Sequence, residues 1–174
     1  LGAAWLRLGL VDAVLVGGTD GLCRLTYTGF NALGAIDPNP ARPFDVNRRG
    51  LTIGEGAGFA VLERVDFAAA RGIDWDVELV GAGITSEAHH ITNPAEDGTF
   101  AAQAIENALK SAGLSPAQVD YVNAHGTATP FNDAMESRAL SRAQLTHAWV
   151  SSTKGVMGHT LGAAGAIEAA ICWL

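Results

Sequence analysis

Two histidines stand in turns whose composition suits chemistry. His125 lies in Asn123-Ala-His-Gly-Thr-Ala-Thr-Pro130, and His159 lies in Ser152-Thr-Lys-Gly-Val-Met-Gly-His-Thr160. An imidazole can take or give a proton, donate a hydrogen bond to a developing oxyanion, bind a metal, or only satisfy a neighbouring loop. The neighbours favour a worked site over a loop histidine. Gly126 permits close backbone approach, Thr127 and Thr129 place hydroxyls beside His125, and Gly155 and Gly158 clear space around Lys154 and His159. Metal ligation is the weaker reading, because the pair lacks the close spacing and extra ligands of a recognised site. Lys154, in a glycine-flanked turn beside His159, suits an electrostatic and orienting role better than that of an ordinary surface cation.

Other reactive residue types offer less. His89 and His90 are adjacent, so in extended chain their rings point opposite ways and do not share a metal easily; a solvated loop is expected there. Gly54-Glu-Gly-Ala-Gly58 has neither the Lys-Ser/Thr of a P-loop nor the spacing of a dinucleotide fingerprint, which leaves close packing as its role. Cys23 has no adjacent base, and Cys172 sits in an apolar stretch where a thiolate is disfavoured. With no CxxC spacing, neither a zinc site nor a disulfide framework is indicated, and a reducing, cytoplasmic setting fits.

The elements that must carry these turns read as α/β. Residues 1–9 suggest a helix stopped at Gly9, followed by a buried strand over 12–16 that opens a parallel arrangement. Residues 25–33 look helical, and the prolines at 38, 40 and 43 then force a long loop. Residues 51–63 suit extended chain where another backbone comes close, with a short helix over 65–71 and a strand over 76–85. Helix 99–112 capped by Gly113, strand 120–124, helix 132–142, strand 148–152 and a buried helix from 158 onward complete the rhythm. Alternating strands and helices imply parallel or mixed sheets covered by helices. The crevice beyond the carboxyl ends of such strands is where ligands bind, and both histidine turns follow a strand.

At 174 residues, 48% of them apolar, the chain is long enough to bury a core. A formal net charge of -7 without a basic stripe argues against nucleic-acid binding. The apolar stretch from Leu161 to Leu174 is too short for a membrane span and contains Glu168. No signal peptide is visible, no linker divides the chain, and the whole is read as one structural unit. Both ends look cut through helices, which suggests a fragment.

Four segments resemble the β-ketoacyl-acyl-carrier-protein synthases, the freestanding condensing enzymes of the thiolase superfamily. They are Val14-Leu-Val-Gly-Gly18, Arg42-Pro-Phe-Asp-Val-Asn-Arg-Arg-Gly-Leu-Thr-Ile-Gly-Glu-Gly-Ala-Gly58, Val122-Asn-Ala-His-Gly-Thr-Ala-Thr-Pro130 and the run from Ser151 through Ala166. The resemblance implies a thiolase-like fold, incomplete here, with residues 1–174 spanning the end of the N-terminal half and part of the C-terminal half. It places the nucleophilic cysteine about three helical turns upstream of Leu1.

The resemblance further implies that His125 and His159 are the histidines of a Cys-His-His site. Lys154 would be its supporting lysine, Glu136 the acid paired with that lysine, and Thr127 and Thr129 the hydroxyls that grip a pantetheine arm. The implied reaction is decarboxylative Claisen condensation in fatty acid, polyketide or polyene synthesis, with no cofactor or metal. The isolated chain is expected to be inactive and to expose apolar surface. The implied partners are an acyl carrier protein bearing acyl or malonyl phosphopantetheine, and a second subunit as homodimer or ketosynthase heterodimer. Arg48 and Arg49 are candidates for a patch that docks the acidic carrier. The alternative is a non-catalytic subunit resembling a chain length factor, which shares the fold without the nucleophile.

Overall fold

A computed structural model of the chain describes residues 1–90 and 92–174. Contacts gather into two compact units: Leu1–Leu22, Gly54–Glu78 and Thr160–Leu174 form the first, Cys23–Ile53 and Leu79–His159 the second.

In the first unit α1 (Gly2–Arg7) leads into β1 (Ala13–Asp20), which pairs with β2 (Gly56–Glu63) from Ala13 opposite Glu63 to Asp20 opposite Gly56. The pair is antiparallel, which corrects the parallel opening read from the sequence; a strand's residue pattern carries no record of its partner's direction. Nor is β1 buried on both faces. Leu15, Phe59 and Val61 share a face and are 68, 58 and 63% exposed, so the expected apolar surface is present. The opposite face lies against α7 (Ala164–Trp173), and a methyl group at Gly58 would stand 2.8 Å from the backbone nitrogen of Ile167. Close packing is thus what this glycine serves. Between β2 and residue 78 the chain forms α3 (Val65–Ala70).

The last helix departs from expectation in two ways. It begins at Ala164, after a 3-10 turn over Leu161–Ala163 in which Leu161 has a φ of 48°, instead of near residue 158. It is also not a buried helix, since Cys172 and Trp173 are exposed.

The second unit opens with α2 (Arg24–Ala32), whose first turn is capped by the Cys23 sulfur accepting the Thr26 N–H at 3.4 Å. The strand expected over 76–85 is not formed. Gly81 and Gly83 instead lie against α4 (Thr99–Ala112), where methyl groups on them would overlap the carbonyls of Ala108 and Ala104, so the backbone there rests on a helix and not in a ladder. After α4 come β3 (Tyr121–Asn123), α5 (Pro130–Arg142), β4 (Trp149–Ser151) and the one-turn helix α6 (Lys154–Met157).

Strands β3 and β4 are parallel, with Tyr121 opposite Trp149 and Asn123 opposite Ser151. Behind them Leu140, Ala143 and Leu145 form a core with Ile105, Val119 and Val122 packed against it. Burial of a leucine side chain contributes about 1.5–3 kcal/mol, enough to fix α5 against the strand whose end carries His125. Among the described residues no helix is long and apolar enough to cross a membrane.

Candidate active site

The parallel pairing of β3 and β4 explains why two turns distant in sequence meet. Ala124 N–H extends the ladder to the Ser151 carbonyl at 2.8 Å, and Ser152 Oγ then donates to the Gly126 carbonyl at 2.9 Å. From that junction one turn carries His125 and the other, through α6, carries His159. The His159 N–H donates to the Thr52 carbonyl at 2.7 Å, tying its turn to residues 52–53 as well.

The rings of His125 and His159 lie edge to face, with centroids 5.2 Å apart and planes 85° apart. His125 is exposed and His159 half-buried. Burial foremost, then the neighbouring His125 and Lys154, push the His159 pKa from its ordinary 6.5 down to about 4. A neutral His159 therefore persists well below neutrality, holding one N–H donor without a positive charge.

Lys154 is 2% exposed, an unusual state for an ammonium and unlike that of a surface cation. Its charge helps to keep His159 neutral. Replacing Lys154 with methionine is expected to raise the His159 midpoint above about 4 while leaving it below 6.5, because burial of the ring persists. Histidine NMR titration of the full-length protein measures this directly, and an unmoved or lowered midpoint would remove Lys154 from the electrostatics of the site.

Glu136, on α5, receives two backbone donors from the first histidine turn: the His125 N–H at 2.6 Å and the Gly126 N–H at 2.8 Å. Asn132 Nδ2 reaches the same carboxylate at 3.4 Å. Thr127 and Thr129 place their hydroxyl oxygens 3.0 Å apart, with Thr127 buried and Thr129 half-buried. The six side chains singled out from the sequence thus lie on the two turns and on the first turns of the helix that follows one of them.

Sequence reasoning missed Asp133 and Phe44. Asp133, 1% exposed, accepts N–H groups from Phe44 at 2.7 Å and Ala128 at 3.1 Å. An acid three residues after a helix-opening proline was the only local signal, and it points equally to an ordinary favourable charge at a helix N-terminus. Arg48 belongs to the same network and is corrected as a docking cation: Nη1 donates to the Asp45 carbonyl, Nη2 to the Pro130 carbonyl, and Nε stands 3.7 Å from Asp133. Its side chain is only 20% exposed, whereas Arg49 remains exposed.

His90 is not idle in its loop, since Nδ1 accepts the N–H groups of Thr92 and Asn93 at 3.1 and 3.3 Å. Among the described residues no group of three or more His, Cys, Asp or Glu side chains is arranged to hold a metal. A cleft of about 390 Å³ runs past Asp37, Thr52, Lys154 and Met157.

The chain is similar to known proteins over most of its length. The family model "Beta-ketoacyl synthase, N-terminal domain" matches residues 2–68, and "Beta-ketoacyl synthase, C-terminal domain" matches 77–174. A 3-oxoacyl-[acyl-carrier-protein] synthase 2 of Synechocystis is 46% identical over 92% of this chain and 41% of its own length. A solved type II polyketide acyl-carrier protein in complex with its ketosynthase superposes with a TM-score of 0.94 at 35% identity, over 99% of this chain and 45% of that one. The ishigamide ketosynthase/chain length factor gives 0.93 at 38% identity, over 98% and 42%. The chain spans about two fifths of the length of the curated relatives it matches. With both family models in sequence order and a thiolase-like α/β fold around the paired histidines, the chain belongs to the β-ketoacyl synthase family.

Proposed function

We propose that this chain forms part of an enzyme that condenses an acyl thioester with malonyl-acyl carrier protein, in fatty acid or polyketide synthesis. The observation that carries this reading is the edge-to-face pair of His125 and a neutral His159. Loss of carbon dioxide from a malonyl thioester breaks a carbon–carbon bond and leaves the electron pair as an enolate, with negative charge on the thioester oxygen. Two imidazole N–H groups aimed at one oxygen stabilise that charge, and a pre-set donor costs no reorganisation at the moment of reaction. The enolate carbon then attacks the acyl group held on a cysteine, the cysteine leaves as thiolate, and a β-ketoacyl thioester is released.

Glu136 acts here as a positioning residue for His125, through the two N–H groups it receives. Lys154 adds to the burial that keeps His159 neutral, and Thr127 and Thr129 offer hydroxyls to the pantetheine arm of the carrier. Arg49 is the remaining cation of the Arg48-Arg49 pair for meeting an acidic carrier. The similar ketosynthase solved with its acyl-carrier protein supports a carrier as partner.

The experiment is to load the full-length protein with an acyl thioester and locate the label by peptide mass spectrometry. A label on a cysteine upstream of Leu1 is the expected result. No label, with another residue at that place, would instead make the protein a subunit of the chain-length-factor kind.

A further inference from the structure

We propose that Asp133 is a positioning residue for condensation, fastening the loop over residues 42–50 to the His125 turn and so setting where His125 stands. The inference rests on the functional reading above for the role of His125. Its own ground is a geometric coincidence. Phe44 and Ala128 both hold left-handed backbone conformations, with φ of 62° and 66°, which side-chain-bearing residues resist. The N–H groups of both end on the one buried carboxylate, Phe44 on Oδ2 at 2.7 Å and Ala128 on Oδ1 at 3.1 Å.

Asn132 Nδ2 adds a contact to Oδ1 at 3.2 Å, and Arg48 Nε stands 3.7 Å from Oδ2. A carboxyl group 1% exposed needs such hydrogen-bonding company. One helical turn further along α5, Glu136 receives the N–H groups of His125 and Gly126. Of the four consecutive N–H groups from 125 to 128, three therefore end on carboxylates of one helix. Glu136 holds the leading end of the turn and Asp133 its trailing end. The Phe44 ring closes over the middle, its Cε2 only 3.0 Å from where a Gly126 methyl would be. Local strain held by buried partners is characteristic of residues that place reacting groups.

The test uses Asp133→Asn in the full-length protein. Asparagine keeps one acceptor but turns an NH2 toward a backbone donor, so one of the two left-handed residues loses its hold. The expected result is a fall in kcat of about 30- to 100-fold with KM changed by less than about threefold, as for a misplaced catalytic group. The His125 ring ¹⁵N resonances are displaced at the same time, while the far-ultraviolet circular dichroism matches the parent. A kcat within about threefold of the parent, or His125 resonances unmoved while activity falls only with the folded fraction, overturns the proposal. If Asp133→Asn does not fold, Arg48→Gln serves: kcat lower by about 3- to 10-fold with displaced His125 resonances supports the role, and unmoved resonances overturn it. Absence of condensation in the parent would count against the functional reading alone, since the resonance comparison still decides Asp133.

Discussion

His159→Ala in the full-length protein is expected to slow malonyl-thioester decarboxylation by about 100- to 1000-fold, the usual cost of deleting one oxyanion donor from a desolvated site. The ring it removes is the one kept neutral by burial, with a pKa near 4, so it supplies an N–H across the physiological range. The sign of the pH dependence follows. A histidine whose folded pKa lies below its unfolded value binds fewer protons when folded, so its stabilising contribution is complete above 6.5 and is lost as pH falls toward 4. For a half-buried ring, screened by solvent, that window is worth on the order of 1–2 kcal/mol.

The folded fraction, and activity with it, should therefore hold through pH 6.5 with respect to His159 and fall only on approach to 4. On the proposed reading both imidazoles serve one developing charge, so adding His125→Ala to His159→Ala should cost far less than its single effect. Radiometric release of carbon dioxide from malonyl carrier protein measures both. A single substitution that leaves decarboxylation within about threefold of the parent would sink the shared-oxyanion reading, as would two losses that multiply.

What could be read beforehand was local. Helix α4 was found with its bounds because an amphipathic run meets Gly113, whose φ of 69° ends it. The histidine turns were found because glycine, hydroxyl and imidazole cluster within a few residues. What escaped reading depended on partners elsewhere in the chain. The direction of β2 beside β1, the packing of Gly81 and Gly83 on α4 and the loss of Arg48 to Asp133 are tertiary facts. So is the destination of the Glu136 carboxylate, since a helix acid shows its charge in sequence but not which N–H groups it will meet. The site sits between these cases: Glu136 stands out in the sequence as an acid, but neither the N–H groups it receives nor the role of Asp133 does.

Gly126→Ala tests how tightly the two turns are locked. Gly126 has a φ of 39°, and a methyl group there would stand 2.5 Å from Ser152 Cβ, 2.8 Å from Ser152 Oγ and 3.0 Å from Phe44 Cε2. None of these is the free end of a flexible chain. Ser152 also donates to the Gly126 carbonyl, so moving it breaks the bond that joins the turns. Overpacking costs about 1–3 kcal/mol and the left-handed backbone about 1–2 more. The sum, about 2–5 kcal/mol, is expected as a lowered urea midpoint. The surviving folded protein should also lose about 100-fold in condensation, because relief of the clash must carry the adjacent His125 away from His159. Gly155→Ala is the comparison: its methyl would meet Pro43 Cδ at 3.2 Å with an ordinary φ, a contact that a small shift can relieve. Equal effects from both would mean that general crowding, and not the junction of the His125 and His159 turns, sets the loss.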